Sequence, residues 1–165
     1  MNIKDKPKKK KKKKVKKVNK AKLIKKLKKQ NFELWSQCVR LRDKKCIVCG
    51  STETLQAHHC LVRAALSLRT RFIPENGVTL CYRCHLIEIH KNGEKRFMEN
   101  YIRILDEKIP KEKQEEIYKL AENKEDITLE DLQNINNHLK QKLEEIKNLN
   151  EINKGKNNEI NIKKL

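Results

Sequence analysis

The sequence predicts an α+β fold: a small module of two short strands and a helix, stapled by cysteines, with helices before and after it. Three observations predict it. Two CxxC pairs, Cys46/Cys49 and Cys81/Cys84, are separated by thirty-one residues. Short runs at 55–62 and 77–80 have strand character and lie between the pairs, the second running into Cys81. On both flanks apolar residues recur at helical spacing: Phe32, Trp35 and Val39 before the module, Phe97, Tyr101 and Leu105 after it.

The first thirty residues hold seventeen Lys and one acid, Asp5, so most of the formal +19 of this 165-residue chain lies there. Like charges at that density repel, and a disordered tail over 1–30 is expected. Val15, Val18, Leu23, Ile24 and Leu27 are spaced so that the later part can become a basic amphipathic helix on a polyanion. A solubilising or localising tail is the plainer reading. The module is assigned to 31–108 and a helical extension to 109–165.

Residues 32–42 read as a short helix with Trp35 as a core anchor. The first CxxC turn follows, then the strand at 55–62, then an Arg-bearing loop or short helix at 63–74 with Arg63, Arg69 and Arg71. The second strand enters Cys81-Tyr-Arg-Cys84-His85, and a helix is expected toward His90. Helices are predicted at 95–108 and at 111–123, the latter opened by Pro110. Thr128 with Asp131 marks a further helix start. That helix carries one stripe, Leu132, Ile135, Leu139, Leu143, Ile146 and Leu149, weakened by Asn134, Asn136 and Asn137. It packs on the module or mediates self-association, with residues 150–165 frayed.

No stretch of about twenty apolar residues is present, which excludes a transmembrane helix. The N-terminus carries no apolar signal region. Six Cys in such a chain therefore point to metal ligands rather than disulfides. Two CxxC turns supply the four thiolates of a closed, structural zinc site: Cys46, Cys49, Cys81 and Cys84. Cys38 and Cys60 are left over, Cys60 as a packing residue.

Four of the five His cluster around these pairs: His58, His59, His85 and His90. His138 is a surface residue of the last helix. His58 and His59 are neighbours on a strand and must point to opposite faces, so one can hold a metal while the other faces substrate or water. A metal with open positions polarises phosphate, and a neutral His takes a proton from water. With Asn76 to fix the base, this is enough for phosphodiester hydrolysis. The bland alternative is a zinc-stabilised hairpin that the His merely decorate.

The run Cys46-x2-Cys49, Ala57-His58-His59, and Pro74-Glu75-Asn76-Gly77-Val78-Thr79-Leu80-Cys81-Tyr82-Arg83-Cys84-His85 resembles the HNH endonuclease family. The order of Trp35, Cys38, Arg42-Asp43, the CxxC pairs, Leu68-Arg69-x-Arg71-Phe72 and Asn76 is similar to NinG-type phage recombination nucleases. The resemblance covers about residues 32–105.

It implies a ββα-metal fold and metal-dependent hydrolysis of DNA. By that resemblance His59 is the general base and Asn76 orients it through the loop backbone. His58 and His85 ligate one catalytic divalent ion (Mg²⁺, Mn²⁺, Ni²⁺ or Zn²⁺), and a further ligand His is expected four residues after His85. Here His90 lies five residues on. Five residues of α-helix turn about 140° away from the first ligand, so His90 joins the set only if the helix is irregular. Arg63, Arg69, Arg71 and Arg83 are candidates to hold phosphates, and for each a solvated surface Arg is the plainer reading. The partner implied is DNA, without a membrane, in the cytoplasm of a bacterial or phage-infected cell. The rival function is a non-catalytic zinc module that binds nucleic acid, which needs the Cys but neither His59 nor Asn76.

Overall fold

The computed structural model describes residues 8–63, 67–123 and 126–162. The elements run α1 (Lys8–Asp43), β1 (Leu55–His59), a single 3-10 turn (Pro74–Asn76), β2 (Gly77–Cys81), a π-helix (Arg83–Asn92), α2 (Lys95–Lys108), α3 (Lys111–Glu122) and α4 (Leu129–Ile162). The class is α+β, with one two-stranded antiparallel sheet. The disorder expected of residues 1–7 and the fraying expected of 163–165 lie outside the described residues.

α1 corrects two expectations. Residues 32–42 are the end of a 36-residue helix, not a short one, and residues 8–30 belong to that helix rather than to a disordered tail. From Ile24 onward the helix has a partner within the chain. Leu27, Asn31, Trp35 and Cys38 recur on one face of α1 and are buried, with Ile24 half-buried above them. That face meets the α4 stripe of Leu132, Leu139, Leu143 and Ile146. A face that buries apolar residues overrides the local repulsion of Lys. α4 thus packs on α1, and it stays helical past residue 150, where fraying was expected. Thr128 and Asp131 cap its start reciprocally: Asp131 N–H donates to Thr128 Oγ1 at 3.1 Å, and Thr128 N–H to Asp131 Oδ2 at 2.8 Å.

Asn136, which weakens the stripe on paper, is part of this contact. Its Nδ2 donates to Asn31 Oδ1 at 2.7 Å, and Asn31 Nδ2 donates to the Leu132 carbonyl at 2.9 Å. Both Asn are buried. A buried polar pair of this kind fixes the register of two helices, because slipping either one strands a donor.

The end of α1 is tied to the sheet by Asp43, whose carboxylate is fully buried. It accepts from Arg42 at 2.9 Å, from Lys108 Nζ at 2.8 Å and from the Thr79 N–H at 2.8 Å. Burial pushes that carboxyl up, but Arg42 and Lys108 outweigh it and hold it below the ordinary value. β2 lies close against α1 beside these groups. A Cβ on Gly77 would stand 2.6 Å from Trp35 and 2.7 Å from Val39, so only glycine fits there. A second core gathers Val78, Leu80, Tyr101, Leu105 and Ile109 around the cysteines, with α2 as its cover.

β1 pairs with β2 from Leu55↔Cys81 to His59↔Gly77. It stops at His59, short of the expected residue 62. From Cys60 onward the backbone bonds to Asn76 instead: Cys60 N–H to its carbonyl at 3.1 Å, Leu61 and Val62 N–H to its side chain.

Candidate functional site

The four thiols of Cys46, Cys49, Cys81 and Cys84 lie within 4.8 Å of one another. Cys49 and Cys81 Sγ are 3.6 Å apart. A tetrahedron with Zn–S bonds of 2.3 Å puts its sulfurs about 3.8 Å apart, so the spacing suits that ion. The first turn is closed by Gly50 N–H donating to the Cys46 carbonyl, with Gly50 at φ +75°, where glycine carries no penalty. The electrostatics also suit a cation. Burial opposes ionisation of Cys46, but hydrogen bonds from the Cys49 and Cys81 backbone bring it down to about 7. Cys84 is pushed well up by burial and by the adjoining Cys49 and Cys81 thiols. Crowded thiols cannot all ionise without a positive ion among them, and a four-sulfur donor set is one that could hold zinc.

The second cluster is made of His58, His85 and His90, whose nitrogens also lie within 4.8 Å of one another. Ring centroids are 4.8 Å apart for His58–His85, 5.5 Å for His58–His90 and 5.0 Å for His85–His90. The last pair depends on the π-helix. With i→i+5 winding, residue i+5 stands over residue i. Arg83 and Glu88 obey the same spacing: Arg83 Nε donates to Glu88 Oε1 at 3.2 Å. Gly93, in the left-handed region at φ +59°, ends the element by donating to the Glu88 carbonyl, again five residues back. The irregular helix that would admit His90 is therefore the one this segment adopts. Burial, with His85 and His90 alongside, holds the His58 imidazole down to about 3, so it stays a neutral, lone-pair-bearing ring.

His59 points the other way, as strand alternation requires. Its ring stacks on fully buried Trp35 at 3.9 Å between centroids, and Phe32 lies at 6.4 Å. Its Nε2 is 2.9 Å from the Arg71 carbonyl. A carbonyl only accepts, so Nε2 carries the proton and Nδ1 the lone pair. Burial holds this ring below the ordinary imidazole value and therefore neutral near pH 7. Asn76 is fully buried and uses its whole amide on the loop between His59 and Arg71. Oδ1 accepts from Leu61 and Val62 at 3.1 and 2.8 Å, and Nδ2 donates to Val62 and Thr70 carbonyls at 2.9 and 3.1 Å. It holds the segment that carries the Arg71 carbonyl, and through it His59.

The arginines scatter. Arg63 is exposed and near enough to His58 to disfavour its charge. Arg71 is half-buried, its guanidinium 6.0 Å from the Phe32 ring centre. Arg83 is exposed, paired with Glu88 and set beside the cysteines. Arg69 is half-buried. Sequence reasoning missed Gln56, whose Oε1 is 2.6 Å from His85 Nδ1. The only signal for it was its position two residues before His58, on the same face of β1. Cys60 is half-buried and its thiol is pushed up to about 12 by burial, as suits a packing residue.

The sequence model of the family described as "Bacteriophage Lambda NinG protein" matches residues 2–151. The chain belongs to the NinG family. No curated protein and no solved structure matches it. The NinG match extends well beyond residues 32–105, taking in the lysines of α1 and most of α4. That accords with α1 and α4 packing on each other as one unit. Among the described residues of this NinG-family chain no helix is long and apolar enough to cross a membrane.

Proposed function

We propose that this NinG-family chain is a metal-dependent DNA endonuclease of the HNH type. Zinc at the four cysteines staples the strands to the π-helix. His58, His85 and His90 hold one catalytic divalent ion, Mg²⁺, Mn²⁺, Ni²⁺ or Zn²⁺. The observation that carries the reading is the convergence of those three imidazoles from β1 and the π-helix, with a neutral, tautomer-fixed His59 adjacent on β1. Such an ion, when bound, polarises the phosphate and stabilises the leaving oxygen.

His59 Nδ1 takes a proton from water, the water oxygen bonds to phosphorus, and one P–O ester bond breaks. The departing oxygen takes a proton from solvent, and His59 returns its own to solvent. Asn76 keeps the base in place by holding the loop. Exposed Lys20, Lys22, Lys25, Lys26 and Lys29 lie on α1, the helix whose Trp35 supports His59, and they supply backbone attraction to DNA in the cytoplasm of an infected cell.

The test is incubation of supercoiled plasmid with the purified protein and each of the four ions, with EDTA as control. Ion-dependent nicking or linearisation is expected. Protein that binds the plasmid but cuts it with none of the ions is a zinc-stabilised binding module instead.

A further inference from the structure

We infer that Gln56 is a positioning residue of the three-histidine site, its side-chain carbonyl fixing the tautomer in which His85 binds an ion. The inference rests on the ion site proposed above.

Residues 56–59 of β1 alternate between two faces. Ala57 and His59 face α1, where Ala57 touches the α1–α4 core and His59 stacks on Trp35. Gln56 and His58 share the other face, toward the π-helix. One strand face thus supplies both a ligand and, two residues earlier, a partner for the next ligand. Gln56 Oε1 lies 2.6 Å from His85 Nδ1, short for a hydrogen bond between neutral groups. The oxygen can only accept, so His85 carries its proton on Nδ1 and keeps the Nε2 lone pair for an ion.

A ring held this way has given up the choice between tautomers and much of its freedom to rotate before the ion arrives. A ligating His whose second nitrogen meets an acceptor is also the more basic donor. His85 is half-buried and sits at the start of the π-helix, where no described residue other than Gln56 is seen to hydrogen-bond its ring. Gln56 is half-buried and opposite Leu80 in the sheet, so it is not a solvated surface amide that happens to be near.

The test uses the full chain with zinc on its cysteines, titrated with Co²⁺ and followed by visible absorption. Gln56→Leu keeps the volume and removes the acceptor. It should weaken Co²⁺ binding by roughly 10–100-fold, the usual cost of losing such a partner. Gln56→Glu keeps an acceptor at the same reach and should restore affinity to the wild-type level or above. Cysteine-bound zinc and melting temperature should match wild type in both variants. A merely structural Gln would lower the melting temperature without this split between Leu and Glu. Equal Co²⁺ affinity in wild type and Gln56→Leu overturns the inference while leaving the ion site standing. Wild type that binds no Co²⁺ beyond the cysteines overturns both.

Discussion

His90 stands one turn above His85, ring centres 5.0 Å apart, although five residues separate them. The pair exists because residues 83–92 wind as a π-helix, a rare geometry that recurs at functional sites. Arg83 and Glu88 keep the same spacing and are bonded across it.

Deleting Ile87 tests this directly. It shortens both 85–90 and 83–88 to i, i+4, the spacing that an ordinary α-helix brings to one face. The variant should keep Co²⁺ affinity at the three histidines, losing less than the roughly 10–100-fold expected of a damaged ligand shell. Adding one Ala after Ile87 should abolish the site, because neither helix type aligns residues six apart. Titration of both variants by visible absorption checks it.

The cysteine site should contain about one zinc per chain in protein purified without added metal, measured by elemental analysis. Cys46→Ala or Cys81→Ala should lose both the zinc and the cooperative unfolding transition. Both thiols are buried in the same core as Val78, Leu80 and Tyr101, so metal binding and folding are coupled there. A well-folded, zinc-free protein contradicts the assignment.

What the sequence showed of this molecule follows the range of the interactions involved. Paired cysteines, strand alternation at His58-His59 and the stripes of α2 and α4 are local patterns, and each is legible. The long α1 was not, because its stability comes from α4 a hundred residues away, through Leu27 and the Asn31–Asn136 pair. The π-helix was not, because winding is set by contacts made after folding; the sequence shows only that His90 falls out of α-helical phase. Gln56 carries no motif at all and gains meaning only once β1 faces the π-helix.

Continuity of α1 changes how the basic segment should be tested. Removing residues 1–30 would cut away buried Leu27, whereas removing 1–18 spares every described side chain. Those eighteen residues still hold eleven lysines. The shortened protein should fold as before but bind duplex DNA with a flatter salt dependence. Each phosphate that is no longer neutralised lowers the log–log slope by about 0.9. An unchanged slope in fluorescence anisotropy would mean that the segment does not touch DNA.

His58 gives a pH signature in protein carrying zinc but no ion on its histidines. Burial, with His85 and His90 beside it, holds its imidazole down to about 3 in the folded chain, against about 6.5 unfolded. As pH falls below the unfolded value, the unfolded chain takes a proton that the folded chain refuses. The contribution is therefore present above about pH 6.5 and lost between there and about pH 3, at roughly 1 kcal/mol per pH unit. Urea denaturation at pH 7 and pH 5.5 should show a smaller loss for His58→Asn than for wild type, zinc content being equal.

Base and ligand separate most clearly in paired variants. His59→Ala removes the proposed base and its stacking on Trp35, but no cysteine and none of the three clustered histidines. Zinc content, Co²⁺ binding and DNA affinity should persist, while plasmid cleavage should slow about 100-fold or more, the scale of a lost general base. Some melting temperature will go with the ring stacking, so cleavage is compared well below the midpoint. His85→Ala should be equally slow for a different reason, a missing ligand. Excess divalent ion should partly rescue His85→Ala, because mass action can refill a two-ligand site, and should leave His59→Ala unrescued. A His59→Ala protein that cuts as fast as wild type removes His59 from the chemistry, whatever its geometry.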